Sequence, residues 1–81
     1  MRRGDLSSGH AKAWAGRADA LRMLGRYPEA LEGYTRAVEF DPQLALAYRG
    51  RGDAHLGARE YALAIRDLRQ ALSLGFDGAD A

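Results

Sequence analysis

Residues 14–20, Trp-Ala-Gly-Arg-Ala-Asp-Ala, return as residues 48–54, Tyr-Arg-Gly-Arg-Gly-Asp-Ala. Trp14 pairs with Tyr48, Gly16 with Gly50, Arg17 with Arg51, Asp19 with Asp53 and Ala20 with Ala54. The same step carries Tyr27 onto Tyr61, Ala30 onto Ala64 and Ala37 onto Ala71, so every pair lies 34 positions apart. A period of that length belongs to helix–turn–helix units, which bury their apolar faces by stacking on one another. Such stacks offer a curved binding surface and seldom house chemistry of their own.

Working outward from the repeat, each unit reads as two helices. Over residues 10–24, Ala11, Trp14, Ala18, Leu21 and Leu24 recur at spacings of three or four, the mark of one helical face. Gly25 suits the left-handed residue after a helix end. Pro28 suits the first turn of a second helix, with Glu29 at the positive end of its dipole. That helix carries Ala30, Leu31, Tyr34, Ala37 and Val38 and is expected to stop near Phe40. Asp41 is expected to cap a third helix, with Pro42 as its first residue. A fourth helix is expected over residues 60–74 and ends at Gly75. No segment alternates with period two, so no strand is expected. Short connections make consecutive helices antiparallel. Small residues, Ala18 and Gly52 facing Ala30 and Ala64, let the paired helices approach closely, with Tyr27 and Tyr61 filling the wider end.

With 81 residues the chain makes one small domain. It holds no cysteine, so neither a disulfide nor a thiolate metal site is expected. Twelve basic and eleven acidic residues leave a net charge of +1, which gives no general attraction to nucleic acid or membrane. No apolar stretch approaches the roughly 20 residues of a membrane span. The opening Met-Arg-Arg is not followed by an apolar segment, so a cytoplasmic location is the default expectation. Residues 1–9 read as a flexible tail, residues 10–78 as two units (about 11–44 and 45–78), and residues 79–81 as the start of a third unit or a tail.

These residues resemble the tetratricopeptide repeat. The first unit supplies Trp14, Ala18, Leu21, Tyr27, Ala30, Tyr34, Ala37 and Pro42; the second supplies Tyr48, Gly52, His55, Tyr61, Ala64, Leu68 and Ala71. The resemblance implies an all-α fold, two antiparallel helical hairpins stacked as a short right-handed solenoid. It also implies a protein or peptide partner held in a concave groove lined by the first helix of each unit. By register the groove residues are Lys12, Ala15, Asp19 and Arg22 from the first unit, and Leu46, Arg49, Asp53 and Leu56 from the second. One subclass of the family grips the terminal carboxylate of chaperones with basic residues and asparagines. Arg49 fits a basic member, but Asp19 and Asp53 stand where asparagine is needed and would repel a carboxylate. Arg59 replaces Gly25, which is expected to change the second turn.

Other features weigh less. Arg51 lies on the facing helix from Asp67, and an ion pair between them is expected; Gly33 replaces Asp67 in the first unit, leaving Arg17 to another partner. His10 and His55 are not at metal-ligand spacing. Gly50-Arg51-Gly52 follows no strand and lacks the third glycine of a dinucleotide fingerprint. The Arg-Gly-Asp tripeptides at residues 3–5 and 51–53 are read as chance. No catalytic constellation can be assembled, and no enzyme, cofactor, metal or nucleic-acid partner is expected. Ile65, Leu72, Leu74 and Phe76 form an apolar face on the last helix with no third unit to cover it, so self-association into a homo-oligomer is one alternative expectation; a regulatory fragment of a larger enzyme or regulator is the other.

Overall fold

The computed structural model describes residues 3–75, with side chains from residue 9 onward. Four helices follow in order: α1 (Arg3–Met23), α2 (Tyr27–Phe40), α3 (Ala45–Gly57) and α4 (Tyr61–Ser73). No strand occurs among the described residues. α1 packs on α2 and α3 on α4, α2 and α3 join the two hairpins, and α1 and α3 touch more lightly.

Two element boundaries differ from the sequence reading. α1 begins at Arg3, seven residues before the expected start at His10. No proline precedes Pro28, and a helix already nucleated extends upstream at little cost. α3 begins at Ala45, not at Pro42. The Asp41 carboxylate accepts the Gln43 N–H at 3.0 Å, and the Asp41 carbonyl accepts the Leu44 N–H at 3.1 Å. Asp41 therefore closes a turn between helices, a common local use of this side chain, and α3 starts without a side-chain cap. Phe76 and the expected third-unit start at residues 79–81 lie outside the described residues.

The turns inside the two hairpins are the same turn. In the first, Gly25 has φ +80°, Gly25 N–H donates to Arg22 O at 2.9 Å and Arg26 N–H donates to Leu21 O at 2.9 Å. In the second, Arg59 has φ 65°, Arg59 N–H donates to Leu56 O at 3.0 Å and Glu60 N–H donates to His55 O at 2.8 Å. Both are Schellman closures. Arg59 thus does not change the turn; it enters the left-handed region that glycine would occupy more easily.

Alanine makes most of the core. Ala11, Ala18, Ala30, Ala37, Ala47 and Ala54 are fully buried, and Tyr34 is the one large side chain among the described residues that joins them. The helices touch closely: a Cβ placed on Gly33 would come 2.9 Å from the Ala18 Cβ. Tyr34 forms the join between hairpins. A Cβ on Gly50 would lie 2.3 Å from its ring, so only bare backbone fits beneath it. Tyr27 lies in the same way against Gly57, at 2.4 Å from such a Cβ. The Tyr34 hydroxyl donates to Asp19 Oδ1 and accepts Arg22 Nε–H at 3.0 Å. Burial, then the bond to Asp19, pushes the Tyr34 phenol up to about 12.

The expected ion pair is present. Arg51 Nε and Nη2 donate to the two Asp67 oxygens at 2.9 and 3.0 Å, and Asp67 is 4% exposed. His55 stands beside them where Leu21 stands in the first unit, 2.8 Å from Glu60 Oε1 and 3.5 Å from Asp67 Oδ2. Arg17, whose counterpart of Asp67 is Gly33, rests over the Trp14 ring at 5.8 Å.

Replacing Arg59 with glycine removes a left-handed strain of roughly 1–2 kcal/mol and returns part of it as chain entropy. Arg59→Gly is therefore expected to raise the thermal midpoint by roughly 3–6 °C, measured by circular dichroism. Tyr34→Phe keeps the ring on Gly50 but leaves Asp19 and Arg22 short of a partner, at a cost of about 1–2 kcal/mol. The folded chain holds the phenolic proton more tightly than the unfolded chain does. The advantage of wild type over this variant is thus complete below pH 10.0 and shrinks as pH rises toward about 12. Denaturant titrations across that range measure it.

Candidate functional site

The first helices of the two units, α1 and α3, face each other across a cavity of about 550 Å³. α1 contributes Lys12, Ala15, Gly16, Asp19 and Arg22; α3 contributes Leu46, Arg49, Gly50 and Asp53, with Leu44 from the preceding turn. Spacings of three and four put each set on one helical face. Seven of the eight groove positions expected from sequence are thereby brought together. Leu56 is not: it is 48% exposed and lies outside the cavity. Its counterpart one repeat earlier, Arg22, does line the cavity.

The charges on the walls hold one another in place. Arg22 Nη2 lies 3.6 Å from Asp19 Oδ1, and Arg49 Nε lies 3.6 Å from Asp53 Oδ2. Arg22 is held above its ordinary value first by the Tyr34 hydroxyl, against burial, with Asp19 and Asp53 adding to it. Lys12, Arg22 and Arg49 oppose Asp19 and Asp53, so three cations meet two carboxylates among apolar patches from Leu44, Leu46 and Ala15. Such a surface suits an extended chain carrying both apolar and charged side chains. It assembles no nucleophile with a base, and no cluster of three metal-ligating side chains occurs among the described residues.

Three contributors escaped the sequence reading: Gly16 and Gly50, which deepen the floor, and Leu44 at its edge. Tyr34 also reaches the groove from behind, through its hydroxyl on Asp19 and Arg22. The available signal was a phenol at a core position, since a buried tyrosine hydroxyl needs a partner.

On the last helix, Ile65 is 54% and Leu72 57% exposed, while Leu74 is half-buried. Tyr61, 57% exposed, and the half-buried Leu68 complete that face and were missed. No helix among the described residues is long and apolar enough to cross a membrane.

Comparison with known proteins agrees with this architecture. The family model described as TPR repeat matches residues 18–57. Protein SGT1 homolog of Oryza sativa subsp. japonica is 36% identical over 75 residues, 93% of this chain and 19% of that protein. Tetratricopeptide repeat protein 13 of Homo sapiens is 40% identical over 58 residues, 72% of this chain and 7% of that protein. Hsc70-interacting protein 1 of Drosophila melanogaster is 36% identical over 73 residues, 90% of this chain and 19% of that protein. The chain thus spans less than a fifth of the length of these relatives. With the 34-residue period, the paired helices and the small-residue contacts, these matches make the chain a member of the tetratricopeptide repeat family.

Proposed function

We propose that this protein is a non-enzymatic interaction module that holds an extended segment of a protein partner between α1 and α3. The observation that carries the reading is the cavity of about 550 Å³, walled by the first helix of both units. Its mixed lining favours a segment with apolar side chains between charged ones. One relative is named for its interaction with Hsc70, which supports protein binding as the kind of function. A terminal carboxylate is a poor ligand for this groove, because Asp19 and Asp53 line it and like charges repel.

A second reading is self-association. It is favoured by the exposure of Ile65 and Leu72, 54% and 57%, on a helix whose counterpart in the first unit is covered. Burying one such side chain is worth roughly 1.5–3 kcal/mol.

The groove reading is tested by Arg49→Glu/Asp53→Lys, which reverses both charges and puts glutamate before lysine, the favoured order at this spacing. Capture of partners from source lysate is expected to be lost, with helicity and thermal midpoint nearly unchanged; undiminished capture would move the binding surface elsewhere. For self-association, light scattering after size exclusion is expected to give more than one chain per particle at micromolar concentration, and a single chain for Ile65→Glu or Leu72→Glu. A wild-type mass of one chain throughout would end that reading.

A further inference from the structure

The join between the hairpins states what the outer face of a second helix receives. On α2, Tyr27, Leu31, Tyr34 and Val38 form one row, fully or partly covered. They are covered by α3, whose facing row is Ala47, Gly50, Ala54 and Gly57, with Tyr34 on Gly50 and Tyr27 on Gly57. Moved by 34 residues, the first row becomes Tyr61, Ile65, Leu68 and Leu72 on α4. Three of these are more than half exposed. Moved back by 34, the second row becomes Ala13, Gly16, Ala20 and Met23 on α1. All four of those are exposed, and a Cβ on Gly16 would meet nothing within 4 Å. The chain therefore carries both halves of its own internal join, uncovered, at opposite ends.

We propose that copies of this chain stack head to tail, α4 of one copy seated on α1 of the next in the register that joins α2 to α3. The proposal rests on the self-association reading and adds to it the second face and the polarity. Leu68 takes the place of Tyr34 over Gly16. The register departs from the internal join at one point. Met23 stands where Gly57 stands, and a side chain there meets the ring that Tyr61 brings, so Tyr61 turns aside. The contact pairs unlike faces, so it does not close at a dimer and grows with concentration.

Sedimentation of the full chain over a wide concentration range tests this. Wild type is expected to grow beyond two chains per particle. Ile65→Glu removes the α4 face and Ala20→Glu the α1 face; each variant alone is expected to remain one chain per particle. Mixed in equal amounts, they are expected to form particles of two chains and no more, because each supplies the face the other has lost. Met23→Gly, which restores the internal register, is expected to tighten stacking by roughly tenfold. Both charged substitutions fall on exposed positions, and unchanged helicity by circular dichroism confirms that loss of stacking is not loss of folding. If Ala20→Glu associates as wild type does, copies pair through α4 alone; stacking is then overturned while self-association stands. A mixture that stays at one chain per particle also overturns stacking. One chain per particle for wild type and Met23→Gly alike overturns both readings.

Discussion

One aromatic ring laid on bare backbone sets the rest of the structure. Tyr34 is the largest fully buried side chain of the described residues, and the other hydrophobic side chains buried as completely are all alanine. Its ring holds α2 to α3 because Gly50 has no Cβ to keep them apart. Its hydroxyl holds Asp19 and Arg22 on α1. Three helices from two hairpins thus meet at one side chain. A phenol is neutral across the physiological range in any case, and burial extends its ability to donate to Asp19 up to about 12.

An alanine core explains why so much rests on that ring. Ala18, Ala30, Ala47 and Ala64 let helices come close, and close helices keep many dispersion contacts. Alanine removes little apolar area from water, however, and each hairpin alone buries too little to stand against chain entropy. Stability in such a stack resides largely in the contacts between neighbours. The polar cluster of the second hairpin adds a different kind of tie. Arg51 and Asp67 are bidentate and largely shielded, so they fix the register of α3 on α4 more than they deepen its stability.

Much of this was legible in the 34-residue period. It placed the four helices and the antiparallel hairpins, which depend on residue types repeated at fixed spacing; the glycine turn at residue 25 and the Arg51–Asp67 pair rest, within that period, on residues present in one unit alone. Seven groove positions were placed by the family resemblance, which points to the first helix of each unit, together with helical phase within that helix. What the period could not give were effects with no residue-type signature. An arginine at φ 65° looks like any arginine until the turn around it is closed. A helix running on to Arg3 has only propagation behind it, and no strong former or cap marks its start. Leu56 has the right phase and still lies outside the cavity, although its repeat counterpart Arg22 lines it. The double duty of Tyr34 was hidden for another reason: its counterpart, Leu68, carries the ring's place but not its hydroxyl.

The groove and the join are not separate features. Gly50 lies under Tyr34 and also lines the cavity, and Asp19, a wall of the cavity, accepts the Tyr34 hydroxyl. The depth of the cavity therefore follows from the closeness of the join. A side chain at residue 50 would fill part of the floor and, at 2.3 Å from the ring, push α2 from α3 at the same time. That displacement would carry Asp19 and Arg22 away from the hydroxyl that orients them, and Arg49 and Asp53, which flank residue 50 by one and three positions, away from α1. In a repeat of this kind the small residues that permit stacking also shape the surface left over for a partner. Selection on one of these properties constrains the other through the same few atoms.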